Sequence, residues 1–288
     1  MSRFRACCQL LALALCVLVT ACAGSTPARA TAAPGSGPGS GSAGALLLPP
    51  ANGRFDYQIG GAYPPASGVR IVDRDWHQSP ATGTYGICYV NAFQTQPEDR
   101  AWWQANHPDL LLRDAAGTLV VDSVWNEVLL DLRTATQRSS LAAIVAGWVD
   151  ACAARGYRGV EFDNLDSFTR SKRLLAYPQA RAYAALIVGR AHMAGLAAAQ
   201  KNTVERSTDL RRTAGFDFAI VEECQVYNEC AAATDVYGAQ VYELEYLDNG
   251  GLANFQKACA ARGSTISVTL RDRQVVPRGS PGYSYRTC

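Results

Sequence analysis

Gly159-Val160-Glu161-Phe162-Asp163-Asn164-Leu165-Asp166 decides how this chain folds. Small and apolar positions lead straight into an Asp-Asn pair, as a buried strand does when it delivers polar groups at its C-terminal end. The same punctuation recurs along the chain. Strands are expected at Phe55–Ile59, Val69–Asp73, Tyr85–Val90, Val128–Leu132, Gly159–Asp163, Leu196–Gln200, Phe218–Val221, Ala239–Tyr242 and Thr265–Leu270. Helices are expected at Glu98–Ala105, Gln137–Arg155, Pro178–Ala194, Ser207–Ala214 and Leu252–Arg262. In Leu141, Ile144, Val145, Trp148, Val149 and Cys152 the apolar spacing is helical, and Gly156 and Gly195 stand where helices should stop. Strands that alternate with helices argue for a parallel α/β sheet. Pro50 to Cys288 is close to the size of a (β/α)8 TIM barrel in one domain. Nine candidate strands are one too many, so one is accessory. Leu119–Ser123 is read as part of a hairpin in the long loop before Val128.

The residues that close these strands are Gln58, Asp73 and Asp75, Tyr89 and Asn91, Asp131, Asp163 and Asn164, Lys201 and Asn202, Glu222 and Glu223, and Glu243 and Glu245. In a barrel such ends converge on one mouth, where the chemistry of that fold sits. A doubly wound sheet would gather only those beside its switch point. No Gly-rich phosphate loop follows a strand. Carboxylates, amides and aromatic rings together suit sugars: acids and bases for the bond, amides for hydroxyls, ring faces for pyranoses. In Phe216 to Cys224 a buried strand brings Glu222 and Glu223 to the mouth, although adjacent residues on a strand face opposite ways. The plainer alternative for Asp163 and Asn164 is a loop cap, a common Asx role. Lys201 invites a Schiff-base reading, but a Lys beside Asn202 and several carboxylates more often serves as an ion-pair partner or hydroxyl donor.

The chain has 288 residues, 27 Lys+Arg against 25 Asp+Glu and a net charge of +2, which gives no electrostatic case for nucleic acid. With three scattered histidines, no HExxH and no paired CxxC, no metal or cofactor is expected. Ten cysteines point to an oxidising compartment. Arg3 and Arg5 precede an apolar run, Leu10 to Val19, too short to span a bilayer, so residues 1–22 read as a signal peptide. Val19-Thr20-Ala21-Cys22 resembles a lipobox, with Cys22 as the lipidated residue. Ala28-Arg29-Ala30 is the competing A-x-A cleavage site. Residues 23–49, rich in Ala, Gly, Ser and Pro, read as a flexible tether. Residues 50–288 are expected to form the folded domain. Membrane association is expected only through the lipid, and the folded part is expected to be a monomer.

At this point the chain resembles glycoside hydrolase family 114, the endo-α-1,4-polygalactosaminidase-type TIM barrels. Phe55-Asp56-Tyr57-Gln58-Ile59 resembles its W-Q-x-Q-L element, and Val72-Asp73-Arg74-Asp75 its Y-D-x-D. Cys88-Tyr89-Val90 resembles C-Y-x-S-A-G, and Glu127-Val128-Leu129-Leu130-Asp131 resembles E-x-W-L-D. Gly159 to Asp166 resembles G-V-E-P-D-N-x-D, and Gln200-Lys201-Asn202 resembles L-K-N. Glu222-Glu223-Cys224 with Cys230 resembles E-Q-C…C, and Glu245-Tyr246 ends the V-x-x-x-E-Y element. The pieces run in the family's order across nearly the whole folded part. Asn91-Ala92-Phe93, Leu129, Phe162 and Glu223 depart from the pattern, and these departures are expected around the mouth.

The resemblance implies hydrolysis of an amino-sugar polysaccharide by two carboxylates, Asp163 as nucleophile and Glu222 as acid/base. It further implies hydroxyl- or amine-binding roles for Gln58, Asp73, Asp75, Tyr89, Asp131, Asn164, Asp166, Lys201, Asn202, Glu245 and Tyr246. A carboxylate-rich mouth suits a cationic polymer. The rivals are a non-catalytic carbohydrate-binding barrel and a Lys201-dependent lyase. Three disulfides are expected. Cys224–Cys230 closes a short loop and matches the family's C-x5-C. Cys259–Cys288 would hold the last residue of the chain to the last helix. Cys88 and Cys152 are left either bonded or as two buried free thiols.

Overall fold

The computed structural model describes residues 46–288. The expected signal segment, Cys22 and the expected tether up to residue 45 lie outside the described residues. Eleven strands are described: β1 Phe55–Tyr57, β2 Ile71–Asp75, β3 Tyr85–Asn91, β4 Val121–Asp122, β5 Glu127–Val128, β6 Gly159–Asp163, β7 Ala197–Lys201, β8 Phe218–Glu222, β9 Val241–Tyr246, β10 Ser267–Arg271 and β11 Tyr285–Thr287. The helices are α1 Arg100–Asn106, α2 Ala135–Ala154, α3 Ser167–Arg170, α4 Tyr177–Met193, α5 Ser207–Thr213, α6 Cys224–Tyr227, α7 Cys230–Tyr237 and α8 Gly251–Arg262.

Strands β1, β2, β3, β6, β7, β8, β9 and β10 run parallel in that order, which is an eight-stranded α/β barrel. The seam between β10 and β1 is closed by side chains: Ser267 Oγ donates to Gly53 O and Thr269 Oγ1 to Phe55 O. β11 pairs antiparallel with the remaining edge of β10. The surplus ninth strand of the sequence is Val128–Leu132. Its first residue pairs antiparallel with β4 in a separate hairpin, and Leu129 and Leu130 bridge to Gln94 and Leu111, so this run lies outside the barrel. The hairpin expected at Leu119–Ser123 is this β4–β5 pair. The crossovers between β1, β2 and β3 carry no helix.

Two apolar layers hold the barrel. The inner one stacks Phe55, Ile71, Ile87, Ala199, Phe218, Ile220, Tyr242 and Leu244, with the Tyr242 ring edge-on to Phe55 and Phe218 at 5.5 and 5.7 Å. The outer one packs the backs of the strands against α2, α4, α7 and α8. Thr134 and Gln137 form a capping box at the start of α2. Gly156 and Gly195 follow α2 and α4 with φ of +93° and +77°, the left-handed turn that lets each chain drop back to its strand. At the foot of the barrel the Tyr85 hydroxyl donates to Leu47 O and the Tyr242 hydroxyl to Pro49 O. Leu47 and Pro49, expected at the end of the tether, thus bond to the barrel through their carbonyls.

The three disulfides are Cys88–Cys152, Cys224–Cys230 and Cys259–Cys288. The pair left open by the sequence is bonded: α2 crosses β3 closely enough to bring the two Cα atoms to 6.2 Å.

Candidate active site

Three neighbouring strands, β6, β7 and β8, end in Asp163, Lys201 and Glu222. After each the chain turns sharply: Asn164, Asn202 and Glu223 have φ of +64°, +48° and +59°. Asn enters this region at lower cost than most residues, which accounts for it in two of the three places. The turns fold back on the carboxylates. The Asn164 amide donates to Asp163 Oδ1 at 2.6 Å, Asn202 Nδ2 donates to Glu222 Oε2 at 2.9 Å, and the Glu222 amide donates to Asn202 Oδ1. Tyr89 Oη donates to Asp163 Oδ2 at 2.8 Å, and Tyr246 Oη donates to Glu222 Oε1.

Lys201 joins the two halves. Its Nζ lies 3.4 Å from Asp163 Oδ2 and 3.5 Å from Glu222 Oε2. Behind it, Nζ donates to Glu161 Oε1 at 2.9 Å and to Tyr57 Oη at 3.0 Å, and Tyr57 in turn donates to the same Glu161 oxygen. Burial would lower the Lys201 ammonium, but Asp163, Glu161 and Glu222 together hold it well above the ordinary lysine value. It is a fixed cation, not a free amine, which removes the Schiff-base reading. Burial would raise the Glu222 carboxyl. Lys201, Tyr246 and Asn202 override it and hold Glu222 below the usual carboxylate range.

The strand ends open into a cleft of about 370 Å³. Six carboxylates line it: Glu98, Asp122, Glu127, Asp163, Asp166 and Glu222. Its cations are Lys201, Arg170 and Arg273. Each is already matched: Arg170 by Asp122 and Asp166, Arg273 by Glu223 and Asp248. The cleft is therefore acidic on balance.

The sequence profile of glycoside-hydrolase family GH114 matches residues 38–288. The chain belongs to that family. It is a glycosidase with an α/β barrel. Two solved structures share its fold. Ega3 from Aspergillus fumigatus, solved in complex with galactosamine, is 18% identical with a TM-score of 0.66; the match covers 84% of this chain and 97% of Ega3. The glycoside hydrolase domain of PelA from Pseudomonas aeruginosa is 16% identical with a TM-score of 0.52 and coverage of 79% and 96%. No curated protein matches the sequence significantly.

Of the residues expected at the mouth of this GH114 barrel, Tyr89, Asp163, Asn164, Asp166, Lys201, Asn202, Glu222 and Tyr246 line the cleft. Gln58, Asp73, Asp75, Asp131 and Glu245 do not. Gln58 is fully buried and bonded to Asp56 and Arg74. Asp73 sits deep in the barrel, where burial, then Glu161, pushes its carboxyl far up. Asp75 is taken by His77 and Gln96. Asp131 is forked onto Arg133. Glu245 follows the alternation rule: Leu244 and Tyr246 face inward, so Glu245 faces outward to Gln225 and Asn254. The departures from the family pattern behave likewise. Phe93, Leu129 and Phe162 are buried in the outer apolar layer, away from the cleft. Asn91 and Glu223 lie near it: Asn91 Oδ1 accepts from Asn164 Nδ2 at 3.0 Å, and Glu223 reaches it through Arg273.

Several site residues escaped the sequence analysis, among them Glu98, Asp122, Glu127, Glu161, Arg170 and Arg273. Glu161 is two positions before Asp163 and hence on the same strand face, a signal that was present. Glu127 opens the Glu127–Asp131 run; its Oε2 accepts from Asn164 Nδ2, and burial pushes its carboxyl up to about 8. Arg170 and Arg273 come from segments with no motif.

Proposed function

We propose that this chain is an endo-α-1,4-polygalactosaminidase-type hydrolase that cuts a cationic amino-sugar polymer. The observation that carries the reading is the acidic cleft. Six carboxylates line the substrate space against three cations, of which Arg273 is already paired with Glu223 and Asp248; even with Glu127 held neutral by burial the lining is acidic on balance, so a polymer of ammonium-bearing sugars gains charge pairing as it binds.

Asp163 is the nucleophile and Glu222 the acid/base. Both of their Lys201-facing oxygens lie within 3.5 Å of one ammonium, so these oxygens are at most about 7 Å apart. That bound includes the roughly 5–5.5 Å of a retaining pair. We assign the pair as retaining, with the two carboxylates drawn together on one ammonium. An Asp163 oxygen attacks the anomeric carbon, and the bond to the leaving oxygen breaks as that oxygen takes the Glu222 proton. A water then gives its proton to Glu222 and its oxygen to the anomeric carbon, which releases Asp163. Glu222 rests ionised, so it takes a proton from solvent before it protonates the leaving oxygen. Lys201 offsets the charge of whichever carboxylate is ionised.

The three disulfides support export to an oxidising space. There, Cys22 would carry lipid and residues 23–45 would tether the barrel to the outer face of a membrane. Reducing-end release from α-1,4-linked galactosamine polymers tests the activity. Deacetylated polymer should be cut, and fully N-acetylated polymer much less. Equal cutting of both would refute the charge argument, and no cutting of either would refute the activity.

A further inference from the structure

The tip of the β4–β5 hairpin carries Val124 and Trp125, and both line the active-site cleft. Val124 is 78% exposed and Trp125 43%. The other tryptophans near this face pack on rings: Trp76 stacks on Trp148 at 5.2 Å, Trp103 meets Trp148 edge-on at 5.8 Å, and Trp102, itself part exposed, rests on Trp103 and His107. Trp125 has a different setting, an indole held up on a cleft wall beside carboxylates.

Its position is fixed from below. Asp122 Oδ1 accepts from the Val124 amide, and Asn126 takes the left-handed turn at φ +57°. Arg170 binds Asp122 at 2.8 Å and also donates to Asn164 Oδ1 at 3.0 Å. Glu127, on the other strand of the hairpin, accepts from Asn164 Nδ2. Asn164 is the residue after Asp163. Both roots of the hairpin are thus bonded to the turn that holds the proposed nucleophile, so the indole stands in a set place relative to the bond that is cut.

We infer that Trp125 is the stacking platform of an outlying sugar subsite, binding a ring of the amino-sugar polymer away from the point of cleavage. The inference rests on the polymer reading above. A pyranose offers its C–H face to an indole, and a protonated 2-amino group near the ring adds a cation–π attraction. Glu98, which lines the same cleft, is at hand for a further ammonium group. Because the platform lies at the cleft wall, it adds to binding only when the oligomer is long enough to reach it.

The test measures binding of α-1,4-galactosamine oligomers of increasing length to Asp163→Asn, which holds substrate uncut, with and without Trp125→Ala or Trp125→Phe. Trp125→Ala should weaken the longest oligomers by about tenfold. It should leave the disaccharide within about twofold, so that affinity stops rising with length. Trp125→Phe should keep most of the length dependence, because a ring remains. Equal affinities for Asp163→Asn with and without Trp125→Ala at every length would overturn the platform and leave the polymer reading standing. A loss that is the same for short and long oligomers would also overturn it, as the mark of a structural residue. Failure of Asp163→Asn itself to bind any amino-sugar oligomer would refute the polymer reading, and the inference with it.

Discussion

The two walls of the cleft are built in opposite ways. On one, strands β6, β7 and β8 end in Asp163, Lys201 and Glu222, and every polar group is tied to the next through Asn164, Asn202, Tyr89, Tyr246 and Glu161. On the other, a hairpin outside the barrel projects an exposed indole and an exposed valine from a short turn. The first wall is rigid because a shared buried cation makes each member depend on the others. The second is held only at its roots. Charge stabilisation in a reaction needs groups that do not move, whereas gripping a long polymer needs surface at a distance. The barrel supplies the one and a loop the other.

The comparison breaks first at the carboxylates. Asp163→Asn and Glu222→Gln should each lower kcat by about a thousandfold or more with little change in thermal unfolding, because these groups serve the transition state. Near wild-type rates in either variant would remove it from the pair. Next is the hub. Lys201→Met strands Glu161 in the barrel without its counter-charge, at a cost of about 3–5 kcal/mol in denaturant unfolding, besides abolishing activity. A stable, active variant would show that the wall does not depend on its cation.

The disulfides sharpen the contrast between body and loop. Cys88–Cys152 closes a loop of 64 residues between β3 and α2, and its removal as Cys88→Ala/Cys152→Ala should cost about 4 kcal/mol. Cys224–Cys230 spans only 6 residues and should cost about 2 kcal/mol. Equal losses would contradict the chain-entropy explanation of the difference.

A further effect is one of pH. Burial raises Glu127 to about 8 and Glu245 to about 7. Each then binds more proton in the folded than in the unfolded chain between the unfolded value of about 4.3 and its own folded value. Stability contributed this way is present below that range and is lost as pH rises through it. Thermal unfolding should therefore fall from pH 5 to pH 8, and Glu127→Gln should flatten the slope. An upward slope in the wild type, unchanged in Glu127→Gln, would contradict the burial of that carboxyl.

The barrel was legible because parallel strands buried on both faces leave short apolar runs with polar ends, and eight of the nine expected runs are barrel strands. The ninth, Val128–Leu132, is just as apolar because it is buried under α2 and the hairpin, and composition alone does not separate that setting from a barrel strand. At the site, the residues directly at strand ends were legible: Asp163, Lys201 and Glu222 are local features. Glu245 was misplaced for a local reason as well, since the alternation that turns Tyr246 inward turns Glu245 out. Arg273 and Trp125 reach the cleft through the path of loops, which no spacing in the sequence records, and Arg170 does so on the short helix α3.

The most direct test of a close, retaining pair across Lys201 is the anomeric form of the first product. Proton NMR of freshly cut α-1,4-linked galactosamine oligomer, read before mutarotation, should show the new reducing end as the α anomer. First-formed β anomer would mean that water attacks directly, and that Asp163 and Glu222 do not act as the nucleophile and acid/base assigned to them.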